Sequence, residues 1–150
     1  MQKENLLISS CLYGKYVRYD GDHNKIDNTV LNRLKEKYTL FPFCPEVEGG
    51  LSTPRVPCEI ISYDPLQIRD KNGKDQTKSF LKGAKKTLHL CQKHNITKAI
   101  LKSNSPSCSS EFIYDGSFSG VKIARMGVTA QLLKENGIDI FDEYKIEKLL

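Results

Sequence analysis

The chain is 150 residues long and contains no apolar run near the ~18 residues that a membrane-spanning helix requires. That excludes a helical integral membrane protein. It also has no Cys-x-x-Cys pair, so the dithiol spacing of zinc ribbons and thioredoxin-like proteins is missing. No glycine-rich loop matches a dinucleotide or P-loop fingerprint, the turn at Gly73 included. Histidine is scarce, with three in all. None of His23, His89 and His94 stands beside a thiol in a way that suggests a Cys–His nucleophile pair.

The charge imbalance is equally modest. A net charge of +5 does not by itself indicate a nucleic-acid partner, and the densest basic run, Lys78 to Lys86, falls in a helical pattern and reads as a solvated face. The opening segment MQKENLLISSCLYG is too polar for a secretory signal, which predicts a cytoplasmic protein. In that compartment thiols stay reduced. Five cysteines, an odd number, are therefore read as core residues, ligands or reactive thiols rather than as a disulfide framework.

Apolar patterning gives strands at Leu6–Ser9, Thr39–Phe43, Lys98–Leu101 and Ile138–Phe141, and helices at Asn28–Lys37, Gln76–His94, Val128–Glu135 and Glu143–Leu150. Asp27 is the predicted cap of the first helix. Glu59–Tyr63 and Gln67–Arg69 form a small hairpin, while Glu46–Pro57 and Tyr114–Gly120 are dense in turn formers and read as loops. Alternation of strands and helices predicts one α/β domain over residues 1–150, three-layer-like, with a small, mainly parallel sheet flanked by helices plus the β-hairpin.

Ligands of such sheets bind beyond the carboxyl ends of the strands. Cys11, Cys44 and Cys108 each follow a different predicted strand at that edge, so their sulfurs are expected to converge. They could form a shared ligand set, a nucleophile with a resolving thiol, or structural residues. Three thiolates are too few to close a structural zinc site, whereas three around an iron–sulfur cube would leave one iron open. Cys91 lies in register with Phe80, Ala84 and Leu88 and is a core residue. Cys58, at a strand start, reads as structural with a peripheral redox role as the alternative. Glu46 follows Cys44 across one proline and could move protons beside it, or be a loop glutamate. Asp20 and Asp115 are read as turn residues, and Arg18 and Arg55 as ion-pair partners or substrate contacts.

Several segments together carry a family resemblance: SCLYGKYVRYDG (Ser10 to Gly21), FCPEVEGGLSTPR (Phe43 to Arg55), Asn72 to Gly83 with its Gly-Lys-Asp-x-Thr, LKSNSPSC (Leu101 to Cys108), IYDGSFSG (Ile113 to Gly120) and GVTAQLL (Gly127 to Leu133). In these the chain resembles the YbbK-like domains of unknown function, whose characterised relatives are thiouracil desulfidases. The resemblance implies a [4Fe-4S] cluster on Cys11, Cys44 and Cys108 with its fourth iron open, Glu46 as the acidic catalytic residue, and a serine, Ser105 or Ser107, that assists. It further implies non-redox removal of sulfur from a small thiolated nucleobase, with sulfide released. A non-catalytic iron–sulfur or zinc module and a thiol-redox protein are the competing expectations. One position departs from the family pattern: Ser109 stands where glycine is usual, which matters if that backbone needs a positive φ.

Overall fold

A computed structural model describes residues 3–150. Its centre is a four-stranded sheet in the order β2-β1-β5-β8, built from β1 (Glu4–Ser9), β2 (Tyr38–Phe43), β5 (Lys98–Ile100) and β8 (Asp139–Phe141). All three pairings are parallel. Parallel strands buried on both faces read as continuous apolar runs, and Leu6, Leu7 and Ile8 of β1 are buried accordingly. The register pairs Ile8 with Pro42 on one side and with Ile100 on the other. The carboxyl ends of β1, β2 and β5 are thereby level at one edge.

Helices α4 (Thr77–Lys93) and α5 (Val128–Glu135) pack on one face through Leu7, Cys91, Ala99, Leu101, Ala130 and Leu133. Helix α2 (Asn28–Lys37) and a terminal 3-10 helix (Ile146–Leu149) cover the other face through Leu6, Ile8, Leu34, Ile146 and Leu149. The Asp27 side chain accepts from the Thr29 N–H at 2.8 Å, as its capping role requires. An antiparallel hairpin, β3 (Cys58–Tyr63) and β4 (Leu66–Asp70), lies to one side and buries Ile60 and Ile68 with Phe80 and Ile113.

Three expectations need correction. Residues 45–48 are not loop but a helical turn, α3 (Pro45–Glu48), because Pro45 occupies the first helical position, where its fixed φ and missing N–H cost nothing. The turn-rich segment after Ile113 is spanned by a second small hairpin, β6 (Ile113–Tyr114) and β7 (Lys122–Ile123). The final helix begins at Ile146 rather than Glu143 and is of 3-10 type.

Candidate active site

The carboxyl edge of the sheet opens into a cavity of about 420 Å³. Cys11, from the helical turn α1 (Ser10–Tyr13) after β1, Cys44 at the end of β2, and Cys108 in the loop after β5 all line it, together with Glu46, Ser105, Arg18, Arg55 and Lys102. The predicted convergence of the three thiols is therefore met at the level of one shared cavity. Cys91, on the inner face of α4, is buried in the core.

Each thiol is held by its own piece of local structure. The Cys108 loop is tied to the amino end of α5: the N–H groups of Gly127, Val128 and Thr129 donate to the carbonyls of Ser109, Pro106 and Ser107 at 2.8, 2.9 and 2.8 Å. Asn104, ahead of Cys108, takes φ 63°, a left-handed conformation that asparagine tolerates better than most residues. Cys44 precedes α3, which is seated by a close backbone approach to α4. A Cβ on Gly83 would fall 1.9 Å from the Pro45 carbonyl oxygen, and one on Gly49 would fall 2.0 Å from that of Ser79. Only glycine permits this contact, and the contact fixes where Cys44 and Glu46 stand.

Burial raises the pKa of Cys11, of Cys44 and of Cys108. Cys58 lines the same cavity; burial, followed by the nearby Glu46 and Asp70 carboxylates, pushes its thiol up to about 12. Around the three converging thiols the polar partners are specific. Asn24 acts against burial to lower the Cys11 pKa, and its side-chain oxygen accepts from Arg18 Nη1 at 3.1 Å. Ser9 acts likewise on Cys108, and its hydroxyl accepts from the Lys102 N–H at 3.0 Å.

Glu46 is paired with Arg55, Nε to Oε1 at 3.2 Å, with the side chains only 16% and 8% exposed. Arg55 is itself immobilised, its Nη1 donating to the Val17 carbonyl at 3.0 Å and to Ser52 and Thr53. Arg55 thus acts as an ion-pair partner of Glu46. Arg18 likewise pairs with Asp20 at 3.2 Å. Asp20 and Asp115 accept from backbone N–H groups two residues ahead, as turn residues do.

The two candidate serines differ in placement. Ser105 lines the cavity, and its hydroxyl oxygen accepts from the N–H groups of Ser107 and Cys108 at 3.1 and 3.0 Å. A hydroxyl has two acceptor sites and one donor, so what Ser105 has left to offer is its O–H proton. Ser107 is buried, outside the residues that line the cavity, and its hydroxyl is shared with Thr129 at 2.8 Å. Ser109 is absent from the residues with positive φ among those described, so serine there carries no backbone strain. Its hydroxyl donates to the Phe112 carbonyl and accepts from the Phe112 N–H, closing the turn after Cys108.

Residue-by-residue reading of the sequence missed Lys102 and Glu143. The Lys102 ammonium lies 2.9 Å from Glu143 Oε2, and Glu143 also accepts from the N–H and hydroxyl of Ser103 at 2.8 and 3.0 Å. Burial disfavours the Glu143 carboxylate, but the hydrogen bonds from Lys102 and the Ser103 N–H outweigh it and hold its pKa below the usual value. The signal was available: Lys102 and Glu143 follow β5 and β8 at the same edge as the cysteines.

The donor set has a size as well as a chemistry. Among the described residues no three His, Cys, Asp or Glu side chains come together closely enough for one metal ion, yet four cysteines, Cys11, Cys44, Cys58 and Cys108, line one cavity. Soft thiolate donors sharing a cavity suit a multi-iron sulfide cluster.

Comparison with known proteins agrees. The family model described as 2-thiouracil desulfurase matches residues 6–145. The chain belongs to the 2-thiouracil desulfurase family. It is 42% identical to the uncharacterised protein YbbK of Bacillus subtilis, over 97% of this chain and 99% of that one. Its fold matches that of the [4Fe-4S]-dependent thiouracil desulfidase TudS with a TM-score of 0.92 and 41% identity, over 98% of this chain and 95% of the other. The mixed α/β architecture is shared between the two.

Proposed function

We propose that this chain, acting as one domain over residues 1–150, is an enzyme that removes sulfur from a thiolated pyrimidine such as 2-thiouracil by hydrolysis, with the cytoplasm as its compartment. The observation that carries the reading is the single cavity shared by Cys11, Cys44, Cys108, Glu46 and Ser105. Cys11, Cys44 and Cys108 are the residues to hold a [4Fe-4S] cluster. Bound there, the cluster supplies a soft Lewis-acidic iron toward the thiocarbonyl sulfur, making the attached carbon more electrophilic.

The side chains then divide the remaining work. Glu46, the anionic half of an ion pair with Arg55, takes a proton from water as the water oxygen bonds to the thiocarbonyl carbon. The Ser105 hydroxyl, with both acceptor sites occupied by backbone N–H groups, donates a hydrogen bond to the negative charge that develops on the ring. As the added hydroxyl gives up its proton and becomes the ring carbonyl, the carbon–sulfur bond breaks with its electron pair on sulfur, and Glu46 passes both protons of the water to the departing sulfide. Thiouracil and water become uracil and hydrogen sulfide, with no external electron donor.

Cys11 and Cys44 are half-buried and Cys108 buried, and Arg18, Tyr19 and Tyr114, which also line the cavity, are the side chains available to the substrate. The test is anaerobic reconstitution followed by incubation with 2-thiouracil, monitoring uracil and sulfide. Stoichiometric release of both supports the reading. Iron binding without release would make the chain a cluster-binding module instead.

A further inference from the structure

Two ion pairs stand at the cavity that Cys11, Cys44 and Cys108 line. Glu46, two residues past Cys44, and Arg55 are 3.2 Å apart and both line it. In the second pair the Lys102 ammonium lies 2.9 Å from Glu143 Oε2, and Lys102 is the member that lines the cavity. The Glu143 carboxylate is anchored behind it by Ser103. The ammonium is further fixed by the Ser103 carbonyl and hydroxyl at 3.1 and 3.2 Å. Its backbone N–H donates to Ser9, which also lines the cavity. Arg55 is paired with Glu46, and Arg18 with Asp20 and Asn24, so Lys102 is the lining cation whose carboxylate partner lies outside the lining residues.

From this arrangement we propose that Lys102, oriented by Glu143 and Ser103, is a charge-placing residue that supplies the positive pole of the cavity and sets the electrostatic environment of the sulfur-bound cofactor. This rests on the functional reading above. A cluster with three thiolate ligands and a product sulfide concentrate negative charge at one end of a partly dehydrated cavity. A fixed ammonium there favours the more negative states of that set. The opposite pole, at Glu46, is where a proton acceptor is needed. The two pairs thus separate the acid–base side of the cavity from the side that accumulates anionic sulfur.

The sign of the effect separates this role from a structural one. In the reconstituted protein, the cluster's reduction potential reports local charge even though the reaction uses no electrons. Lys102→Met removes a positive charge and should move the potential negative; Glu143→Gln removes a negative charge and should move it positive; Lys102→Arg should restore the wild-type value. Iron loss to a chelator should be faster in Lys102→Met by about fivefold, the factor a partly exposed charge contact supplies. A merely structural pair would move both variants the same way, or leave the potential unchanged while lowering thermal stability, and either result overturns the proposal. If Lys102→Met does not fold, the Glu143→Gln and Lys102→Arg pair still gives the sign. A wild-type chain that takes up no cluster would overturn the functional reading beneath it, and that failure is visible before any variant is compared.

Discussion

At the scale of single residues, the proposed reaction divides its chemistry between two side chains, and each makes a distinct prediction. Glu46→Gln keeps the volume and the bond to Arg55 but removes the proton acceptor. Turnover should fall by roughly 10²–10⁴-fold, the usual size of a general acid–base contribution, with iron content unchanged. Ser105→Ala should lower kcat by about 10²-fold, as the loss of one such donor does, and Ser107→Ala should act on stability instead, because its hydroxyl is bonded to Thr129 in the interior. Steady-state kinetics with iron analysis and a thermal melt distinguish the three variants. A Ser107 variant that melts normally but loses turnover would reverse the assignment. The sequence placed both serines beside Cys108 but could not say which faced the cavity. That distinction depends on where α5 docks, and so does the unstrained conformation at Ser109.

At the scale of elements, the strands and long helices were legible because their apolar periodicity is set by the layers they pack between. Strand β1 is apolar throughout because both faces are covered, and α4 repeats Phe80, Ala84, Thr87 and Cys91 on its buried side. What sequence patterning misread was α3, too short to show periodicity and flanked by glycine and proline. Its position depends on the Gly49 and Gly83 contacts with α4. Gly83→Ala should therefore destabilise the fold by about 1–3 kcal/mol, the cost of overpacking, even though alanine favours helix. It should also lower activity beyond the stability loss by displacing Cys44 and Glu46. Urea unfolding midpoints alongside kcat test this; unchanged stability would mean that α3 can shift at no cost. The Asp27 cap on α2 lies away from the cavity. Asp27→Ala should cost about 1 kcal/mol and leave turnover intact.

At the scale of the whole molecule, the edge where four parallel strands end gathers Cys11, Cys44, Lys102 with Cys108, and Glu143, one group beyond each strand. This was the most legible feature, since the rule for α/β sheets places ligands there from strand order alone. The Lys102–Glu143 ion pair was not legible, because 40 residues of sequence separate its two members. Its consequence for pH follows from the depressed pKa of Glu143. A carboxylate whose folded pKa lies below its ordinary value adds stability that is full above that ordinary value of about 4.5. The contribution disappears as pH falls through the lower folded value. Cluster-free Glu143→Gln should thus be less stable than the wild type above about pH 4.5, with the two melting profiles converging at the lowest pH.

What Cys11, Cys44 and Cys108 hold together decides between an iron–sulfur enzyme and every other reading of this chain. Iron and acid-labile sulfide should be measured per chain after anaerobic purification and reconstitution. The wild type should carry about four of each, the composition of a [4Fe-4S] cluster. Replacing Cys11, Cys44 or Cys108 by alanine should abolish retention, while Cys91→Ala keeps it. A single bound metal ion, no iron, or full iron retention after loss of any one of the three thiols would contradict the account.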